Sequence, residues 1–519
     1  MSRTTNKPTG LSRRGFMGRA SALGLMAGMT SIAPLFAAEP VKGGHFVLGL
    51  KGGESTNSLD PALSLSQVIF SVLRGWGETL LNVAPDGGLH YRLAESVEAS
   101  NGGQSWHFTI RQGVKFHNGE TLTAQDVLKT MERHSNDDSK SGALGIMRGI
   151  ESMSVDGDVF TVNLTTASSD LPYLLADYHL VIQPNGGIDD PTAGIGTGPY
   201  RITENEPGVR HAFEKFADYW DDSRGHYDSY EILVINDDTA RAAALQSGQV
   251  HAINMVSPKT ANLFGRAPGI SIEPTSGRGH YVFVMHTDTA PFDNKDLRLA
   301  LKYAINREEM VEKVLNGYGA VGNDTPINDA YPLFDETIPQ RAFDLDKARE
   351  HYAASGHDGS PIILRVSEAA FAGALDAAAL FQQSARAAGI PLEIKREPAD
   401  GYWSEVWNKQ PFAASYWGGR AVQDQMYTTA YLSTADWNDT RFKNAEFDAM
   451  LLQARAELDV GKRKDIYGQM GRMLNEEGGL INPMFNQFID GLQSKVTGWE
   501  ANPNGEQMDG FTAIKTWFE

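Results

Sequence analysis

At residue 280 the hydrophobic period of this chain changes. HYVFVMHTD (280–288) alternates as a strand does, and DNKDLRLALKYAI follows it with Leu297, Leu301, Ala304 and Ile305 on one helical face. Before that boundary the apolar stretches are short, β-branched or aromatic, and separated by Gly, Asn and Asp turns. HFVLGL (45–50), SWHFTIRQGVKF (105–116), VFTVNL (159–164), HAFEKF (211–216) and YEILVI (230–235) read as strands. Two helices punctuate this half: TAQDVLKTMERH, opened by a Thr123/Asp126 capping box, and TARAAALQSGQV (239–250), which stops at Gly248. Beyond the boundary helices dominate. REEMVEKVLNG is expected to run to a left-handed cap at Gly317; DLDKAREHYAASG, ALDAAALFQQSARAAG and NAEFDAMLLQARAEL repeat the amphipathic pattern. PLEIKRE follows the second of these as a strand, so helix, glycine and strand alternate in an α/β rhythm. With 519 residues the chain exceeds what one core organises, and two or three domains are expected. No internal repeat marks a solenoid.

The first 38 residues follow another logic. They carry Arg3, Lys7, Arg13, Arg14 and Arg19 without an acid, and SRRGFMG (12–18) precedes an apolar run that ends in small residues. This is a secretory layout. The Arg13-Arg14 pair with Phe16 resembles the twin-arginine export signature. Gly24, Gly28 and Pro34 interrupt the run, and Ala37-Ala38 suits cleavage, so residues 1–38 are expected to be a removed signal peptide and the destination periplasmic. The chain has no cysteine, which excludes a lipid-anchoring cysteine, disulfides, thiol catalysis and Cys-based metal centres. No stable membrane anchor is expected. Net charge is −19, and losing the five signal cations leaves −24, a surface that disfavours nucleic acid and anionic membranes.

A twin-arginine-exported periplasmic hydrolase is the competing reading, but catalytic signatures are missing. The sequence has no GxSxG elbow, HExxH helix or GxxxxGK phosphate loop. GIGTGPY (194–200) breaks at Pro199 and reads as a turn before a strand rather than a phosphate cradle. His280 and His286 are far apart along one strand, and His351 and His357 straddle a helix end, so no metal site and no cofactor is expected.

A set of longer strings is diagnostic. LAESVEASNGGQSWHFTIRQGVKFHNGETLTAQDV (93–127), SLDP (58–61), GTGPYRITENEPG (196–208), FADYW (216–220), RAAALQSGQV (241–250), TAPFDNKDLRLALKYAINREEMV (289–311) and AGIPLEI (388–394) resemble the family 5 extracellular solute-binding proteins, the dipeptide, oligopeptide and nickel subunits of ABC importers. The resemblance spans nearly all of the chain after the signal. It implies an α/β, three-lobed, class II periplasmic-binding-protein fold. Lobe I would comprise 41–82, 196–280 and 490–519, lobe II 83–195 and lobe III 281–489, with a hinge near 280 and 490. It implies capture of a small-molecule or peptide solute between lobes I and III by hinge closure. Delivery would be to an ABC permease with separate ATPase subunits, and the protein would act as a monomer without enzyme activity.

The resemblance also places the ligand. In peptide-binding relatives a Trp-Gly-x-Asp string supplies a carboxylate for the peptide α-amine; here the corresponding string is YWGGRAVQDQMY (416–427), with Arg420 where the acid would stand. An ammonium against a buried guanidinium is unfavourable, whereas a carboxylate or phosphate gains a bidentate, charge-assisted pair. Arg420 therefore either meets an anionic group of the solute or pairs internally, with Asp424 the nearest acid. Asp424 is alternatively a displaced amine anchor. Trp417 would form an aromatic wall, flanked by Tyr416 and Gly419, and counting from SLDP places Leu65, Ser66 and Gln67 on the lobe I side. Trp403, Trp407, Tyr427 and Trp437 are close in sequence, each readable as packing. Short peptides, opine-like conjugates and sugar acids all remain candidate solutes.

Overall fold

The computed structural model describes residues 39–519 except 65, 137–138, 399–401 and 436, with backbone alone at 403 and 404. The signal reading for 1–38 and the ligand reading for Leu65 lie outside the described residues.

The chain enters through β1 (His45–Leu50), five of whose six residues are buried. Phe46, Leu48 and Leu50 join one apolar cluster and Val47 another, which is why this strand is a continuous apolar run rather than an alternating one. Helix α1 (Gln67–Trp76) begins at Ser66, whose hydroxyl accepts from the Ile69 amide at 3.4 Å. Four antiparallel strands follow, β2 (Ala94–Ser100), β3 (Ser105–Ile110), β4 (Ile150–Asp156) and β5 (Val159–Leu164), in the spatial order β2-β3-β5-β4. Helix α2 (Ala124–Ser135) covers this sheet and carries both halves of the capping box. The Asp126 carboxylate accepts from the Thr123 amide at 2.9 Å and the Thr123 hydroxyl from the Asp126 amide at 3.3 Å.

The antiparallel run β6 (Tyr200–Glu206), β7 (Arg210–Lys215) and β8 (Ser229–Val234) then pairs with β1, and α3 (Asp238–Ser247) ends on Gly248 at φ +79°. Next come β9 (Ala252–Ile253), the 16-residue β10 (Ile270–Met285), α4 (Lys295–Tyr303), β11 (Ile362–Val366), α5 (Ala374–Ala387), β12 (Leu392–Arg396) and β13 (Phe412–Trp417). Helices α6 (Gln423–Ala430), α7 (Ala445–Ala456) and α8 (Val460–Glu477) lead into the 14-residue β14 (Leu480–Gln493). One mixed sheet runs β12-β11-β13-β10-β14-β9-β1-β8-β7-β6, with the short strand Gly319–Val321 added on β14. The architecture is α/β.

The two longest strands form the sheet's middle. Ile270–Ser276 pairs with Gln493–Gln487 and His280–Val284 with Phe485–Leu480, and the ladder slips between Ser276 and His280. A Cβ at Gly277 would approach the Phe488 ring to 2.5 Å, so glycine is required where the strands cross closely. Beyond the slip β10 alternates cleanly: Phe283 and Met285 enter the cluster with Phe381 on α5, while Val282 and Val284 enter another with Tyr427 and Leu474. Separate apolar clusters occupy the four-stranded sheet and the β1–α1 region.

Three expected elements differ in extent. The strand expected over 105–116 ends at Ile110, because the chain turns at Gly113 with φ +79°. The helix expected to reach Gly317 stops at Lys313, although Gly317 keeps a left-handed φ of +83°. The strand expected over 280–288 begins at Ile270 and ends at Met285. Among the described residues no helix is long and apolar enough to cross a membrane.

Candidate functional site

Strand β13 lies antiparallel to β10, with Tyr416 opposite Tyr281 and Trp417 opposite His280. After Trp417 the chain leaves the sheet through Gly418 and Gly419. A Cβ on Gly419 would stand 2.4 Å from that of Arg278, so only glycine lets this loop lie flat on β10. Arg420 follows. Its amide donates to the Tyr331 hydroxyl at 3.1 Å, and its guanidinium donates to the carbonyls of Gly418 (3.3 Å) and Gly419 (3.1 Å). Among the described residues Arg420 has no carboxylate partner, and its positive field reaches Tyr178, His280 and Tyr331.

Beneath this loop sits Arg278, in the interruption of the β10–β14 ladder and only 3 % exposed. Its Nε donates to Ala330 O at 2.9 Å, Nη1 donates to Arg420 O at 3.3 Å, and the guanidinium lies 5.2 Å from the centre of the Tyr331 ring. Nη2 is buried without a hydrogen-bond partner. Burial pulls the pKa of Arg278 down, opposed by Tyr331 and Asp509. Asp509 is committed elsewhere: its carboxylate takes Arg74 of α1 at 2.7 Å. Burial raises the Asp509 pKa, and Arg74 opposes the rise. Tyr178 packs on Phe70 of α1 with ring centres 4.0 Å apart. Side chains from α1, residue 178, β10, residue 331, the loop after β13 and the C-terminal segment thus converge on one place.

Trp417 is held from behind. Its indole donates to Asp439 Oδ2 at 3.2 Å, and that of Trp407 donates to the same oxygen at 2.9 Å. Trp437, half exposed, closes the cluster with ring centres 6.2 Å from both other indoles. Asp439 is fully buried, its Oδ1 has no partner, and desolvation pushes its carboxyl up to about 7 against the two indole bonds. Trp417 is therefore part of a packed aromatic core three residues ahead of Arg420.

The other expected site residues are placed as follows. Asp424 is buried on α6 and pairs with Arg455 Nε at 3.0 Å, so it does not serve as the internal partner of Arg420. Its pKa is raised by burial, opposed by Arg455. Ser66 spends its hydroxyl on the α1 cap, and Gln67 donates to the Glu506 carbonyl at 3.2 Å. Tyr416 is half exposed on the other face of β13 from Trp417, and Tyr427 is buried among Tyr431, Phe447 and Tyr467. Sequence reasoning missed Arg278, Tyr331, Tyr178 and Asp439. Only SGRGH (276–280), a cation between glycines ahead of an apolar strand, carried a signal. His280 and His286 are buried with pKa values lowered by desolvation to about 4. Among the described residues no group of three or more His, Asp or Glu is arranged to hold a metal. Two surface hollows of about 330 and 280 Å³ lie elsewhere, one beside Arg441 and Lys443, the other beside Arg224 and Lys515.

Residues 88–439 match the model of the bacterial extracellular solute-binding proteins, family 5 Middle. The chain is 24 % identical over 506 residues to the glutathione-binding protein GsiB of Salmonella typhi, covering 93 % of this chain and 96 % of that one. Two solved structures share the fold at a TM-score of 0.75, each covering 92 % of this chain and 99 % of the other. They are AgaA of A. tumefaciens R10 in complex with agropinic acid, 23 % identical, and DppA of Helicobacter pylori in complex with the peptide STSA, 20 % identical. The family match covers well over half of the chain, and the chain belongs to the bacterial extracellular solute-binding proteins of family 5.

Proposed function

We propose that this protein is the periplasmic substrate-binding subunit of an ABC importer, exported by a twin-arginine signal, and that it captures a short peptide or peptide-like solute bearing a carboxylate. The observation that carries the reading is Arg420. It stands where peptide-binding relatives place an acid, and its guanidinium meets only backbone carbonyls among the described residues. A solute carboxylate would form the charge-assisted pair that the fold does not supply. The solute would lie between lobes I (41–82, 196–280, 490–519) and III (281–489), with 83–195 as lobe II. The separate apolar clusters and the slip in the β10–β14 ladder support that division. Closure about the strand crossing would exclude water around Arg420 and Trp417 and present a new surface to the permease; no bond is made or broken.

GsiB is named for glutathione, a peptide with two carboxylates, and AgaA was solved with an acid named as agropinic acid, so an acidic non-peptide conjugate is the second reading. Native mass spectrometry of the protein purified from its periplasm, with denaturing release of any retained molecule, tests both. A retained carboxylate supports the anionic site and its skeleton separates peptide from conjugate; a cationic solute, or turnover of the solute, refutes the reading. Arg420→Ala should weaken binding of an acidic solute by about 2 to 5 kcal/mol if the pair is desolvated. Unchanged affinity rejects the role of Arg420.

A further inference from the structure

We propose that Arg278 is a second anchor for the solute's acid group, forming with Arg420 a two-guanidinium cradle that selects a carboxylate. The proposal rests on the reading of the cleft as a solute site and adds a residue on the strand crossing itself. Buried guanidinium groups require partners, because their charge and five N–H donors are taken out of water. The chain follows this rule elsewhere: Arg92 faces Glu78 and Asp221, Arg307 faces Asp324, and Arg463 faces Asp170. Buried Arg298, without a carboxylate, makes three carbonyl bonds, one of them to Glu477 at the end of α8, and keeps both terminal nitrogens engaged while its Nε alone is left without a partner. Arg278 has two carbonyl bonds, one of them long at 3.3 Å, and a terminal Nη2 with no acceptor. The acid whose field reaches it, Asp509, is taken by Arg74.

The placement is specific. Nη1 of Arg278 holds the carbonyl of Arg420, Gly419 rests on the Cβ of Arg278, and Tyr331 touches both arginines, through its ring face and its hydroxyl. An acid group that reaches Arg420 therefore comes to the loop that Arg278 supports. A carboxylate has two in-plane oxygens, one for each guanidinium, whereas a neutral amide offers one acceptor and two donors and leaves one arginine unmatched. Because Arg278 sits where the β10–β14 ladder slips, the same contact ties the acid group to the segment that flexes on closure.

Titration calorimetry on the purified protein tests this with three carboxylate solutes and forms in which one carboxylate is capped: glutathione and its glycine amide, the tetrapeptide Ser-Thr-Ser-Ala and its C-terminal amide, and agropinic acid and its methyl ester. The wild type should bind at least one of the three about tenfold or more tighter than its capped form, and Arg278→Gln should bring that ratio close to one. Which acid is bound identifies a peptide or a non-peptide source. A folded Arg278→Gln protein that keeps the wild-type ratio overturns the cradle while the solute-binding reading stands. Should Arg278→Gln not fold, Arg278→Lys decides: the two-oxygen match requires a lower ratio of free to capped affinity than the wild type has, and a ratio unchanged from wild type overturns it. Equal affinity of the wild type for the free and capped forms also overturns the cradle. No binding of any of the six compounds overturns the solute class on which both readings rest.

Discussion

Asp439 gives the stability of this protein a pH dependence whose sign and size follow from its surroundings. The carboxyl is fully buried behind Trp407 and Trp417, and desolvation lifts its pKa from 3.8 to about 7. A raised folded-state pKa means that the native protein holds this proton more tightly than the unfolded chain. The stabilisation is complete below about pH 4 and is lost as pH climbs to about 7, at about 1.4 kcal/mol per unit. Between pH 5 and pH 8 the loss from this one group is about 3 kcal/mol, since the last two units below pH 7 fall in that window. Asp439→Asn keeps an acceptor for both indoles and cannot titrate. Denaturant unfolding followed by tryptophan fluorescence, in both proteins at pH 5 and pH 8, gives the comparison. Other buried acids with raised pKa values, Asp490 and Glu506 among them, titrate equally in both proteins and cancel in the difference. The wild type should lose about 3 kcal/mol more than Asp439→Asn over this range. Equal losses in the two proteins would refute the claim that an uncompensated buried carboxylate lies behind Trp417.

Three further outcomes follow from single contacts. Thr123→Ala removes the capping-box hydroxyl at the start of α2 and should cost about 1 kcal/mol, read as a shift in denaturation midpoint at constant m-value. Asp170→Ala leaves Arg463 buried without its carboxylate, 2.5 Å away in the native protein, and should cost about 3 to 5 kcal/mol by the same assay. Gly419→Ala drives a Cβ to within 2.4 Å of Arg278 and must displace the loop that carries Arg420. It should weaken glutathione or agropinic acid binding, whichever the wild type takes up, by about tenfold or more in titration calorimetry.

Local chemistry was legible in the sequence where the chain's own neighbours decide the outcome. The Thr123/Asp126 box, the stop at Gly248, the buried face of α4 and the α/β alternation after residue 360 depend on residues within one or two turns of each other. What depends on distant partners was not legible. The first half of β10, ISIEPTSGRG, contains a proline and two glycines and looks like a loop, yet β14 pairs with it from more than two hundred residues away. Arg420 could be singled out because a family pattern surrounds it. Arg278 could not, since its significance lies in what fails to reach its Nη2, a property of the folded environment alone. Asp424 shows the converse: an acid four residues from Arg420 reads as its partner, but α6 carries it into the interior, where Arg455 of α7 meets it.

The strand crossing explains why site and proposed hinge coincide. Two antiparallel strands of 16 and 14 residues joined by an unbroken ladder would make a stiff ribbon, unable to let one part of the sheet turn against the other. The slip between Ser276 and His280 removes ladder bonds over three residues, Gly277, Arg278 and Gly279, and the two glycines permit backbone rotation there. Such a flexible point needs something that differs between open and closed forms, or no ligand can bias it. Arg278 provides it: a desolvated guanidinium with an unmatched N–H is destabilising until an anion arrives. An anion shared with Arg420 would stabilise the arrangement in which the loop after β13 is pressed onto β10. Closure driven this way would respond to the charge of the solute more than to its bulk.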